Sequence, residues 1–196
     1  MSNVTNITFA GVGGQGILLA SDMTANVLIS AGYDVKQSEI HGMSQRGGSV
    51  VSDLRFGSKV HSPLITEGET DILVAFERLE GLRCIPLLCQ GGTAVVNDEI
   101  ILPVGCSSMD YPVDALERIG AAAGETVIVD ATETAARAGN IRAANMVLMG
   151  VLSCLLQVDE DLWLRAIRDK FKGKVAEINE KAFGLGRERR AAAVTR

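Results

Sequence analysis

Apolar and polar positions along this chain switch between two periods. Residues 4–10 form a short apolar run, carried by Ile7 and Phe9, that stops at glycines. From Gln15 the spacing turns helical: Ile17, Ala20, Thr24, Val27, Leu28 and Ala31 share one face, and Gly32 is placed as the stop. Residues 34–40 read as a second strand. Strand, glycine turn, helix and strand predict a βαβ unit, which the crossover rule makes right-handed and parallel.

A polar, glycine-bearing loop at 41–48 follows. Residues 49–56 then alternate, with Val50, Leu54 and Phe56 apolar against Asp53 and Arg55. Gly57-Ser58 reads as a turn into 59–62, which predicts a β-hairpin. Residues 71–76 are a continuous apolar strand suited to burial on both faces, and a helix over 77–88 with a kink at Pro86 comes next. A second hairpin is expected between 93–97 and 99–102, then a helix after Tyr111-Pro112 ending near Gly120. Residues 126–130 form the last parallel strand, and helices are expected over 131–138, 143–156, 159–171 and 175–183. The predicted fold is α/β: a Rossmann-like, doubly wound, mostly parallel sheet with β-hairpin insertions and a helical C-terminal third. Residues 1–186 make one domain and 187–196 a flexible tail.

Composition narrows the function. At 196 residues and 47% hydrophobic, the chain fills one domain with a substantial core. A net charge of -5 gives no broad pull toward nucleic acid or anionic membranes. Residues 1–6 carry no secretory signature, and the most apolar stretch, 146–156, is shorter than the ~20 residues of a bilayer span, so a cytoplasmic protein is expected. Cys84, Cys89, Cys106 and Cys154 contain no C-x-x-C pair, so no zinc ribbon or iron–sulfur cluster is written here and no metal is expected.

Two segments carry candidate chemistry. Gly11-Val12-Gly13-Gly14-Gln15-Gly16 satisfies G-x-G-x-x-G between a strand and a helix, where free N–H groups at the helix start hold a pyrophosphate. Glu39 then stands for the ribose-binding acid. The other reading is that these glycines only let the helix pack close to the sheet. The second segment, residues 39–49, gathers His41, Ser44, Gln45 and Arg46 with Gly47 and Gly48. His41 suits proton transfer and Arg46 suits a carboxylate or phosphate, the alternative being an intersubunit ion pair. His61 has no such company and reads as a surface residue. No nucleophile–base motif, P-loop or thiamine-diphosphate G-D-G start is present.

Together the two loops resemble the gamma-type domain of the 2-oxoacid:ferredoxin oxidoreductases, most nearly the small subunit of the indolepyruvate branch. The likeness rests on Gly11–Leu18, Glu39–Val50 and Leu54–Gly57, and continues through Ser62–Ile65, Ala75–Glu77 with Glu80 and Arg83, and Asn145–Gly150. It implies a Rossmann-like subunit without its own cofactor, acting beside a larger subunit that carries thiamine diphosphate and iron–sulfur clusters. In such enzymes a 2-oxoacid loses carbon dioxide, electrons pass to ferredoxin, and coenzyme A takes the acyl group. The resemblance implies that Gly11, Gly13, Gly14, Gln15 and Gly16 face coenzyme A or the partner chain. Ser44, Gln45, Gly47 and Gly48, with His41 and Arg46 as catalytic candidates, would form a lid over the thiamine pocket. The acidic surface places ferredoxin docking on the partner. A homodimer of the isolated chain is open. Two other readings remain: a stand-alone NAD(P)-binding oxidoreductase and a non-catalytic binding module.

Overall fold

The computed structural model describes residues 4–41, 47–103, 105–107 and 110–194, with backbone alone at 41 and 191–194. The opening apolar run is β1 (Val4–Val12), buried from Asn6 onward. The glycine turn leads into α1 (Ile17–Ser30), and the chain returns through β2 (Asp34–His41). Then come β3 (Ser49–Gly57) and β4 (Thr70–Ala75). Helix α2 (Arg78–Cys84) passes at Pro86 into a 3₁₀ turn, Ile85–Leu87, as a proline inside a helical run requires. The remaining elements are β5 (Leu88–Asn97), α3 (Ala115–Ala122), β6 (Glu125–Val129), α4 (Ala131–Ala138), α5 (Ala144–Ser153), α6 (Glu160–Lys170) and α7 (Lys174–Val194).

The six strands lie in the order β2-β3-β1-β4-β5-β6. β1, β4, β5 and β6 pair in parallel, while β3 runs antiparallel between β1 and β2. The expected mostly parallel α/β sheet is present, and β1 and β2 run the same way as predicted, but they are not neighbours. Alternating side chains divide the sheet into two faces. Ile7, Phe9, Leu54, Val74 and Val127 pack with α1 and α4–α7 into the main core. Leu73, Ala75, Ala94 and Val96 face α2 and α3.

Both predicted hairpins need correction. Residues 49–56 pair with β2 and β1, not with 59–62. The 59–65 segment is held instead by the Arg55 guanidinium, which donates to the Ser62 and Leu64 carbonyls at 3.2 and 2.6 Å. Alternation reports that one face of a strand is buried, not which strand lies beside it. Residues 99–102 form no strand. Their backbone serves the start of α2: the Glu99 carbonyl accepts from Arg78 N–H, and Ile101 N–H donates to Glu77 Oε1 at 3.2 Å.

The C-terminal helices go further than expected. α7 continues through 187–194, where the sequence reading leaves a flexible tail. Arg187 donates to the buried Ser153 hydroxyl at 2.8 Å, and Arg190 binds both carboxylate oxygens of Glu125. α5 and α7 touch backbone to backbone: a Cβ on Gly150 would lie 2.1 Å from the Phe183 carbonyl, and one on Gly186 2.0 Å from that of Val147. Trp163 of α6 stacks on Phe183 with ring centroids 5.8 Å apart and closes the core.

Candidate crevice at the carboxyl edge of the sheet

β1 sends its helix toward β2, whereas β4 lies on its other side. The chain therefore reverses winding between β1 and β4, the place where open α/β sheets form a crevice. A cleft of about 590 Å³ lies there. Each strand end contributes a wall: Gly14, Gln15 and Gly16 after β1, Phe76 after β4, Asn97 and Glu99 at the end of β5, and Thr132 after β6. Arg142 and Asn145, from the approach to α5 and its first turn, close the far side.

The first glycine turn is filled from within. Gln15 Oε1 accepts from Val12 N–H and Gln15 Nε2 donates to the Phe76 carbonyl, both at 2.8 Å. This amide ties β1 to β4 and occupies the floor of the turn. Gly16, at φ +83°, caps α1 without a side-chain hydrogen bond, a backbone that L side chains rarely adopt.

The second turn comes back onto the first. Gly13 N–H donates to the Gly48 carbonyl at 2.8 Å, and Gly47 N–H donates to the Gly13 carbonyl at 3.3 Å. Below this clasp, the Ser49 hydroxyl donates to Glu80 Oε2 at 2.5 Å, and Arg83 donates to Glu80 Oε1 at 2.5 Å. Glu80 is buried, so its carboxylate anchors the exit of the second loop to α2. Glu77, also buried, caps α2 through Glu80 N–H and accepts from the Tyr111 hydroxyl. Burial and that carboxylate together push the Tyr111 phenol far above its ordinary range.

Among the cysteines, burial pushes the Cys84 thiol up to about 12, with Glu80 and Asp53 adding to the effect. Burial and then Asp71 also raise Cys89. Neither is a thiolate nucleophile near neutral pH. Among the described residues, no group of His, Cys, Asp and Glu is arranged to hold a metal ion, and no helix is long and apolar enough to cross a membrane.

The family model for pyruvate ferredoxin/flavodoxin oxidoreductase matches residues 6–189. The chain belongs to this family. It is similar to the indolepyruvate oxidoreductase subunit IorB of Thermococcus kodakarensis, 39% identical over 188 residues that cover 92% of this chain and 93% of that one. Among solved structures it is similar to the gamma subunit of a keto/oxoacid ferredoxin oxidoreductase from Geobacter sulfurreducens, with 25% identity, 96% and 99% coverage and a TM-score of 0.72. The fold also matches part of a 2-oxoglutarate:ferredoxin oxidoreductase from Magnetococcus marinus, whose structure holds 2-oxoglutarate, coenzyme A and succinyl-CoA. There the TM-score is 0.76 at 23% identity, covering 98% of this chain but 32% of that one. The same fold thus occurs both as a whole chain and as a section of a longer one.

For this oxidoreductase chain, the structure brings Gly11, Gly13, Gly14, Gln15 and Gly16 together with Gly47 and Gly48. Ser44, Gln45 and Arg46 lie outside the described residues, and His41 is described only as the last backbone position of β2. His61 is exposed. Glu39 does not take the position of a ribose acid. It pairs with Ser52, which pairs with Phe9, so β3 separates it from β1 by two strand spacings, about 9–10 Å. Sequence reasoning assigned no site role to Asn97, Glu99, Thr132, Arg142 or Asn145. The available signal was the polar residue ending an apolar strand, as at Asn97 and Asp130, because such ends meet at one rim of a parallel sheet.

Proposed function

We propose that this chain, a subunit of an indolepyruvate-type 2-oxoacid:ferredoxin oxidoreductase, completes an active site whose reactive carbon and iron belong to a larger partner subunit. The observation that carries this reading is the clasp between Gly13 and Gly47–Gly48. It brings both glycine turns to one rim of the sheet, beside an open crevice. A wall built this way excludes water and orients donors without performing a bond-breaking step itself. Thiamine diphosphate, held by the partner, supplies the decarboxylation chemistry, and coenzyme A is the acyl acceptor. In this reading the iron–sulfur centres belong to the partner, as does ferredoxin docking. In this reading His41, Ser44, Gln45 and Arg46 lie over the partner's pocket, with Arg46 directed to an anionic group.

An independent NAD(P)-dependent enzyme is the weaker reading. The ribose acid is displaced by β3, and the Gln15 side chain takes the space beneath the turn. Reconstitution decides the matter. The chain and the thiamine-bearing subunit, mixed, are expected to reduce ferredoxin at the expense of an aryl pyruvate in a coenzyme A-dependent way, while this chain alone is inactive. Oxidation of a 2-oxoacid by the chain alone overturns the proposal. Arg46→Ala is expected to lower the rate of the assembled complex; unchanged rate and coenzyme A dependence remove it from the site.

A further inference from the structure

The two glycine turns are joined by more than their own clasp. Gly13 N–H donates to the Gly48 carbonyl at 2.8 Å, and the next residue, Ser49, donates its hydroxyl to Glu80 Oε2 at 2.5 Å. Just ahead of the same helix, the Phe76 carbonyl accepts from Gln15 Nε2 at 2.8 Å, and Gln15 belongs to the first turn. These three hydrogen bonds, with the short stretches 13–15, 48–49 and 76–80 between them, make a closed ring. The ring begins where the sheet ends, because Val12 and Ser49 are the last pair of the β1–β3 ladder. Stretches this short carry little slack, so each junction holds the other two in place.

The junction at Glu80 is the charged one. Glu80 is 3% exposed, and its two oxygens are divided between Ser49 and Arg83, which donates to Oε1 at 2.5 Å. Hydrogen bonds to a carboxylate are the stronger kind, and Arg83 keeps the second oxygen turned to Ser49. An ion pair with one half-exposed partner adds little to net stability. What this pair contributes is a fixed place for Ser49. The corner between β4 and α2 also holds the far wall of the crevice. The Phe76 carbonyl accepts a second donor, Asn97 Nδ2, at 3.1 Å, and Arg78 N–H donates to the Glu99 carbonyl at 3.1 Å. Residues 76–80 therefore set both turns and the Asn97–Glu99 wall against one another.

We infer that Ser49 and Glu80, braced by Arg83, are positioning residues for turnover: they hold the second glycine turn against the first in the arrangement that the assembled enzyme uses. The inference rests on the function proposed above, in which both turns wall a pocket of the partner. Substrate bound by the partner meets the turns set or unset, and reacts only when they are set. Opening the ring therefore lowers kcat and leaves KM for the 2-oxoacid in place.

Two measurements test it. On the full chain alone, amide hydrogen exchange is followed at Gly13 and Gly47, the two N–H donors of the clasp. Ser49→Ala is expected to speed that exchange about tenfold, the effect of removing a hydrogen bond to a charged group, while Ser49→Thr keeps the hydroxyl and the protection. In the complex with the thiamine-bearing subunit, Ser49→Ala is expected to lower kcat about tenfold with KM for the 2-oxoacid within about twofold, and Ser49→Thr to restore kcat. Glu80→Gln turns one acceptor oxygen into a donor and is expected to act as Ser49→Ala does. If melting curves show that it does not fold, the exposed Ser49 decides alone. Ser153→Ala removes a hydroxyl bonded to Arg187 at the α5–α7 contact, away from the rim, and is expected to leave kcat unchanged. The inference is overturned if exchange or kcat in Ser49→Ala matches the wild type, or if Ser49→Thr is as slow as Ser49→Ala. An inactive wild-type complex overturns the function proposed above and the role in turnover with it, while exchange in the chain alone still decides whether Ser49 and Glu80 place the turns.

Discussion

Single side chains hold this molecule in place, and two of them yield tests. Tyr111 donates to Glu77, whose carboxylate also receives Glu80 N–H and Ile101 N–H. Tyr111→Phe removes one donor from a buried carboxylate and is expected to cost about 1–3 kcal/mol in denaturant unfolding. No loss would mean that water replaces the phenol. Asp53 is the second case. Burial raises its carboxyl above the ordinary value, against a smaller opposing effect of the Thr8 hydroxyl, which donates to it at 2.9 Å. A carboxyl raised on folding makes its charged form a penalty above the folded pKa, and the penalty fades as pH falls through that value. Asp53→Asn keeps an acceptor for Thr8 and removes the penalty. Its melting temperature is expected to exceed the wild type near neutral pH, with the gap closing in acid; a gap that widens in acid contradicts the assignment.

Among elements, the contact of α5 with α7 tolerates no side chain at Gly150 or Gly186. Gly150→Ala is expected to push the helices apart and cost roughly 1–3 kcal/mol in chemical denaturation, the usual cost of overpacking. An unchanged midpoint would show that the two helices slide freely. The C-terminal turns of α7 make a related case. If Arg187 with Ser153 and Arg190 with Glu125 hold residues 187–194 down, deleting 187–196 lowers the melting temperature by about 2–4 °C, the response of a chain of this size to a loss near 1 kcal/mol. If those residues behave as a flexible tail, the deletion changes nothing. The elements themselves were largely legible: the periods announced β1, α1, β4, β6 and α4 nearly residue for residue. The neighbours of β3 were not, because Val50, Leu54 and Phe56 need only some buried face, and the long 41–48 connection hid the pairing with β2.

At the scale of the whole molecule, one strand changes the meaning of the first glycine turn. With β3 between β1 and β2, Glu39 stands too far from the turn to read a ribose. Sequence by itself determined the local choices: apolar runs that must be buried, glycines where the chain turns, and two polar loops placed after strands. Those are decided by forces between residues near one another in the chain, the 2.0 and 3.6 periods and the steric freedom of glycine. Only the tertiary structure decided that Gly13 clasps Gly47 and Gly48, that Ser49 rests on Glu80, and that Asn97, Glu99, Thr132, Arg142 and Asn145 share one crevice. Strand order and helix packing set those meetings, and they depend on how whole surfaces fit, which no single stretch of residues encodes.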